Sequence, residues 1–64
     1  MIIRYFFQNR ETGGKFEIIS IDPKAGTVTL RGEMASFVEQ FDKAIGPAKT
    51  FDRYGYELVQ EAVK

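Results

Sequence analysis

The chain opens on a crowded apolar run, in which Ile2, Ile3, Tyr5, Phe6 and Phe7 are interrupted only by Arg4. Side chains of a strand alternate between two faces. A strand over 2–8 therefore sets Ile3, Tyr5 and Phe7 on one side and Ile2, Arg4 and Phe6 on the other. β-branched and aromatic residues favour strands, and the same character returns in Phe16-Glu-Ile-Ile-Ser-Ile21 and in Thr27-Val-Thr-Leu-Arg31. Between the first two runs, Arg10-Glu-Thr-Gly-Gly14 supplies glycines that can adopt positive φ, which predicts a hairpin. Between the second and third, Asp22-Pro-Lys-Ala-Gly26 combines an Asp that can bond the turn backbone, a Pro that presets φ and a Gly that returns the chain.

A four-residue turn at Pro23 to Gly26 sets Asp22 opposite Thr27, Ile21 opposite Val28 and Ile19 opposite Leu30, with Ser20 opposite Thr29 on the reverse side. Placing Ile3, Tyr5 and Phe7 beside Ile19 and Ile21 completes one apolar face. The leftover face carries Ile2, Arg4, Phe6, Phe16, Ile18, Thr29 and Arg31.

From Glu33 to Ile45 the apolar spacing lengthens to three and four, through Met34, Phe37, Val38, Phe41, Ala44 and Ile45, and predicts a helix. Glu39 and Lys43 form an i,i+4 pair on its polar side. Gly46-Pro47 breaks it, because Pro47 has no amide donor. Pro also suits the first turn of a new helix, so 47–54 reads as a second short helix with Ala48, Phe51 and Tyr54 inward, and Gly55 terminates it. The tail at 56–63 fits either a final strand or a continued helix. Gly55 costs about 1 kcal/mol in a helix interior, which favours the strand. The expected fold is α+β in a single domain, 1–64: an antiparallel three-stranded meander, a helix broken at Gly46-Pro47 and a C-terminal strand beside the first, in the order β-β-β-α-β. Its expected core is Ile3, Tyr5, Phe7, Ile19, Ile21, Val28, Leu30, Phe37, Val38, Phe41, Ile45, Phe51 and Leu58.

Two short stretches resemble known patterns. Tyr54-Gly-Tyr-Glu-Leu-Val59 resembles the ending of small uncharacterised bacterial domains that close a helix with a final strand, which implies the β-β-β-α-β layout. Ile18-Ile-Ser-Ile-Asp-Pro-Lys-Ala-Gly-Thr-Val-Thr-Leu-Arg-Gly32 is similar to a hairpin of small β-barrels, among them periplasmic copper-binding proteins. Those bind metal through His, Met and Trp, whereas this chain has no His or Trp and its methionines are Met1 and Met34.

The composition narrows the chemistry. With no Cys and no His, disulfides, thiolate metal sites and Cys- or His-based nucleophiles are excluded. Asp22 reads as a turn residue, Asp42 and Asp52 as solvated helix surface, and Tyr5, Tyr54 and Tyr56 as half-buried rings with wet hydroxyls. Gly13-Gly14 lacks the Lys-Ser/Thr of a phosphate loop. No catalytic residue, metal or cofactor is expected.

Nine basic residues balance nine acidic ones, which argues against binding to nucleic acid or an anionic membrane by bulk charge. No apolar run approaches a membrane span and the N-terminus lacks a signal-peptide layout, so a cytoplasmic protein is expected. A chain of this size has little spare core. The surface to suspect is thus the leftover sheet face, with Arg4, Phe6, Phe16, Ile18 and Arg31 as its interaction residues. The expected function is a small non-enzymatic protein-interaction module whose partner is another protein or a second copy, giving a homodimer through that face or an open strand edge. The alternative is a single-stranded nucleic-acid-binding module, in which Phe6 and Phe16 stack on bases and Arg4 and Arg31 meet phosphates.

Overall fold

The computed structural model describes residues 1–63. Five strands form one antiparallel sheet: β1 (Ile2–Asn9), β2 (Lys15–Asp22), β3 (Thr27–Arg31), β4 (Ser36–Gln40) and β5 (Tyr56–Val63), with α1 (Gly46–Arg53) between the last two. The strand order is β4-β3-β2-β1-β5. The first four strands thus run as a meander, and β5 returns to pair with β1 from Ile2↔Val63 to Asn9↔Tyr56. The order β-β-β-α-β is corrected to β-β-β-β-α-β.

Both turns form as the sequence dictates. Asn9 Oδ1 accepts from the backbone amides of Glu11 and Thr12 in the first hairpin loop. In the second, Asp22 Oδ1 accepts from Lys24 N and Ala25 N, and Gly26 N donates to Asp22 O at 2.9 Å. Gly26 has φ +70° and is buried, and an added Cβ there would approach the Lys43 side chain at 2.9 Å and Phe41 O at 3.3 Å. The register beyond this turn pairs Asp22 with Thr27, Ile21 with Val28 and Ser20 with Thr29. A bulge then slips the ladder, so that Leu30 faces Ile18 and not Ile19. One extra residue in a strand changes which side chains share a face beyond it, and it moves Ile18 to the side of Leu30.

The largest correction concerns 33–45, where no helix forms. Ser36–Gln40 is instead the strand β4, paired with β3 through Leu30↔Phe37 and Thr29↔Val38. The turn before it closes with Gly32 N donating to Ala35 O at 3.0 Å, and beyond it Phe41 N donates to Gly26 O at 2.9 Å. A helix here would leave the outer edge of β3 without backbone partners, which is costly wherever that edge is buried. The apolar residues that match a helical period also include Phe37 at an inward strand position, and pairing decides between the two readings. Glu39 and Lys43 accordingly do not meet as a helical pair.

The short second helix is present as α1, and Gly55, at φ +88°, follows it where the chain enters β5. No side chain caps the first residue of α1. Asp42 instead organises the approach: its Oδ1 accepts from Ala44 N, and its carbonyl accepts from Ile45 N and Gly46 N. Thr50 is buried and fastens the helix to this turn, its hydroxyl donating to Gly46 O at 2.8 Å and accepting from Asp42 N at 3.1 Å. At the other end, Arg10 pairs with the Asp52 carboxylate and also donates to Asp52 O.

The core lies between α1 and one side of the sheet, the inner face. Phe7, Val28, Leu30 and Phe51 are buried there, with Phe16, Ile18, Phe37, Phe41 and Tyr56 packed against them. Phe7 and Phe51 stack at 4.7 Å between ring centroids. An eight-residue helix spans about 12 Å, too short to roof the whole inner face. Six expected core residues stand exposed: Ile3, Tyr5, Ile21 and Leu58 on the inner face, Val38 on the opposite face across from Thr29, and Ile19 at the bulge. Ala48 and Tyr54 are exposed as well, leaving Phe51 as the inward anchor of the helix. Phe41 and Ile45 are half-buried.

Candidate functional site

The five residues expected to share one sheet face are divided between two. Phe16 pairs with Phe7, and Ile18 with Leu30, so both belong to the inner face and pack on the core. Glu17 pairs with Phe6 and with Arg31, so Arg4, Phe6 and Arg31 share the opposite, outer face. The cause is the register: Phe7 opposite Phe16 gives β1 and β2 a common parity that puts both rings beneath the helix side.

On the outer face Phe6 is only 7% exposed. Its roof is made of charged side chains. The Arg4 guanidinium lies 5.4 Å and the Lys15 ammonium 4.8 Å from the ring centroid, both within cation–π range. Arg4 holds Glu17 with two hydrogen bonds of 2.6 Å, Arg31 also pairs with Glu17, and Lys15 pairs with Glu61. Hydrogen bonds from Arg4 and then Arg31 outweigh the desolvation of Glu17 and bring its carboxyl pKa down to about 2 from an ordinary 4.5. The same pairing raises the pKa of Arg4. Long aliphatic stems cover apolar surface while their charged heads stay in water, so Phe6 is closed over by its own neighbours, although Ile2 and Val38 on the same face remain exposed.

The inner face is less finished, in two places. Along β1 and β5, Ile3 is 45%, Tyr5 43% and Leu58, opposite Phe7, 49% exposed. These lie on β1 and on β5, an edge strand of the sheet. In the second place, a groove of about 290 Å³ opens between the sheet and α1. Phe7 and Leu30 form its base, and Phe16, Phe37, Phe51, Tyr54 and Tyr56 line it. The rings are in mutual contact: Phe16 meets Phe37 edge-on at 5.3 Å and Tyr56 at 6.3 Å, and Phe51 lies 6.4 Å from Tyr54. The one charged residue in the lining is Glu39, on β4.

The sequence reading missed this groove because it placed Phe37 and Glu39 on a helix and Phe16 on the far face. The available signal was the alternation Phe37-Val38-Glu39, which sends Phe37 and Glu39 to one side of a strand. Among the described residues no cluster of three or more acidic side chains could hold a metal ion, and no helix is long and apolar enough to cross a membrane.

The chain matches no protein-family model, no curated protein and no solved structure.

Proposed function

We propose that this is a small non-enzymatic protein-interaction module that associates with a second copy of itself through the uncovered part of the inner face and the adjoining edge of β5. The observation that carries the reading is the row Ile3, Tyr5 and Leu58, each nearly half exposed beside an eight-residue edge strand. Edge strands of monomers are ordinarily blunted by charged side chains, Lys above all, by Pro or by a bulge. Tyr56–Val63 contains neither Lys nor Pro, its charges are Glu57 and the Lys15-paired Glu61, and its register with β1 is unbroken. Antiparallel pairing of β5 with its copy is self-complementary, as a two-fold interface requires. It would bring two exposed apolar rows together.

Light scattering from micromolar to near-millimolar concentration tests this, with circular dichroism as the check on folding. The native chain is expected to reach dimer mass as concentration rises, and a folded Leu58→Asp variant to remain monomeric. A native chain that stays monomeric throughout removes the proposal. The nucleic-acid reading has no comparable support: Phe6 is roofed, Phe16 is on the other face, and both Arg4 and Arg31 are engaged by Glu17.

A further inference from the structure

We infer that the groove between α1 and the sheet is a binding site for an arginine side chain presented by a partner protein. Three features of the groove agree on this ligand. First, its walls are aromatic: Phe16, Phe37 and Tyr56 on the sheet side face Phe51 and Tyr54 on the helix side. The faces of such rings carry negative quadrupole potential and attract cations. Tyr54, 69% exposed, stands where an entering group would meet it first.

Second, the lining holds one charged residue and it is an acid. Glu39 lies on the same side of β4 as Phe37, opposite Val28 of the core. The ion pairs of the described residues engage Glu17, Asp52 and Glu61. Glu39 takes part in none of them, and no basic residue lines the groove. On the outer face Glu17 and Glu61 are each matched by an Arg or Lys of this chain. Glu39 is exposed beside the rings with no such match, so its carboxylate is open to a cation supplied by a partner.

Third, the combination of rings and one open carboxylate discriminates among cations. An ammonium is strongly hydrated and gives up much of that hydration between aromatic walls. A guanidinium is more weakly hydrated, stacks on rings and can present two parallel N–H donors to a carboxylate. The groove is open at one side and suits a side chain entering from solvent. None of Ile3, Tyr5 and Leu58 lines it, although Leu58 borders it opposite Phe7.

Titration of the full chain with N-acetyl-arginine amide, followed by two-dimensional amide NMR, tests the inference. Saturable shifts are expected at Phe16, Phe37, Glu39, Tyr54 and Tyr56, with little change at Arg4, Phe6 and Arg31. N-acetyl-citrulline amide, neutral and of the same shape, should leave these signals in place. Glu39→Gln is expected to weaken binding about tenfold, the scale of one charge-assisted hydrogen bond. Tyr54→Ala should weaken it about threefold, as loss of one exposed cation–π contact implies. Both sites are exposed, and retained dispersion of the remaining amide signals shows that the variants are folded. Absence of saturable shifts in the native chain, equal binding of the citrulline compound, or unchanged affinity in folded Glu39→Gln would each overturn the assignment.

Discussion

The two faces of the sheet solve the same problem differently. On the outer face, Phe6 sits among long charged neighbours, and Arg4 and Lys15 fold over it while pairing with Glu17 and Glu61. On the inner face, Ile3, Tyr5 and Leu58 are left nearly half open. An aromatic ring in a small sheet thus needs no second layer of backbone if its neighbours are Arg and Lys. Short aliphatic neighbours cannot give that cover, and the greasy surface that remains is where a partner gains most.

Substitutions can break this contrast in order of expected effect. Phe51→Ala removes the ring by which α1 holds Phe7 and should cost about 3–4 kcal/mol in chemical denaturation, enough to unfold much of a domain of this size. A loss below 1 kcal/mol would show that the helix contributes little to the inner face. Phe6→Ala is expected to cost about 2–3 kcal/mol, less than a core ring because the stems of Arg4 and Lys15 can settle into the vacated space. If it proves neutral, the charged roof does not bury the ring in solution.

Glu17 adds a pH dependence specific to the outer face. Its pKa is depressed in the folded protein to about 2 from 4.5, so between those values the unfolded chain binds more protons than the native one. The stability it contributes is complete above about pH 4.5 and is lost as the pH falls through about 2. Glu17→Gln should therefore be less stable than the native chain at neutral pH, and the gap should close on acidification. A gap that is constant with pH would refute the pairing. At the small end, Ile3→Ala should change monomer stability by at most about 0.5–1 kcal/mol, although it lies in the same strand as Phe6. Lys15→Ala should cost about 0.5 kcal/mol, a loss that added salt reduces.

Much of the fold was legible where local chemistry decides the backbone. Asp22-Pro-Lys-Ala-Gly26 specifies its turn through an Asp side chain and a left-handed glycine, and the hairpin at 10–14 and the break at Gly55 work in the same way. The C-terminal strand beside β1 followed from the cost of Gly55 inside a helix. What was not legible depends on partners distant in sequence. Phe37 belongs to β4 because β3 offers it an edge and Phe16 a ring, facts that a helical period in 33–45 does not carry. The slip that puts Ile18 opposite Leu30 leaves no mark on a run as uniform as Phe16-Glu-Ile-Ile-Ser-Ile21. The suspected surface inherited that error: Arg4, Phe6 and Arg31 do gather on one face, while Phe16 and Ile18 went to the core. Without β4 in place, the groove facing Tyr54 could not be seen at all.

The pairing of β1 with β5 along its whole length also shapes how the chain must fold. Partners such as Ile3 and Ala62 are separated by nearly the entire sequence. Contacts this remote carry a large loop-closure cost and slow folding. During synthesis, the first strand emerges long before its mate exists, so Ile2 to Phe7 must wait with one edge unsatisfied. An unpaired strand edge of this kind is prone to stick to neighbouring chains.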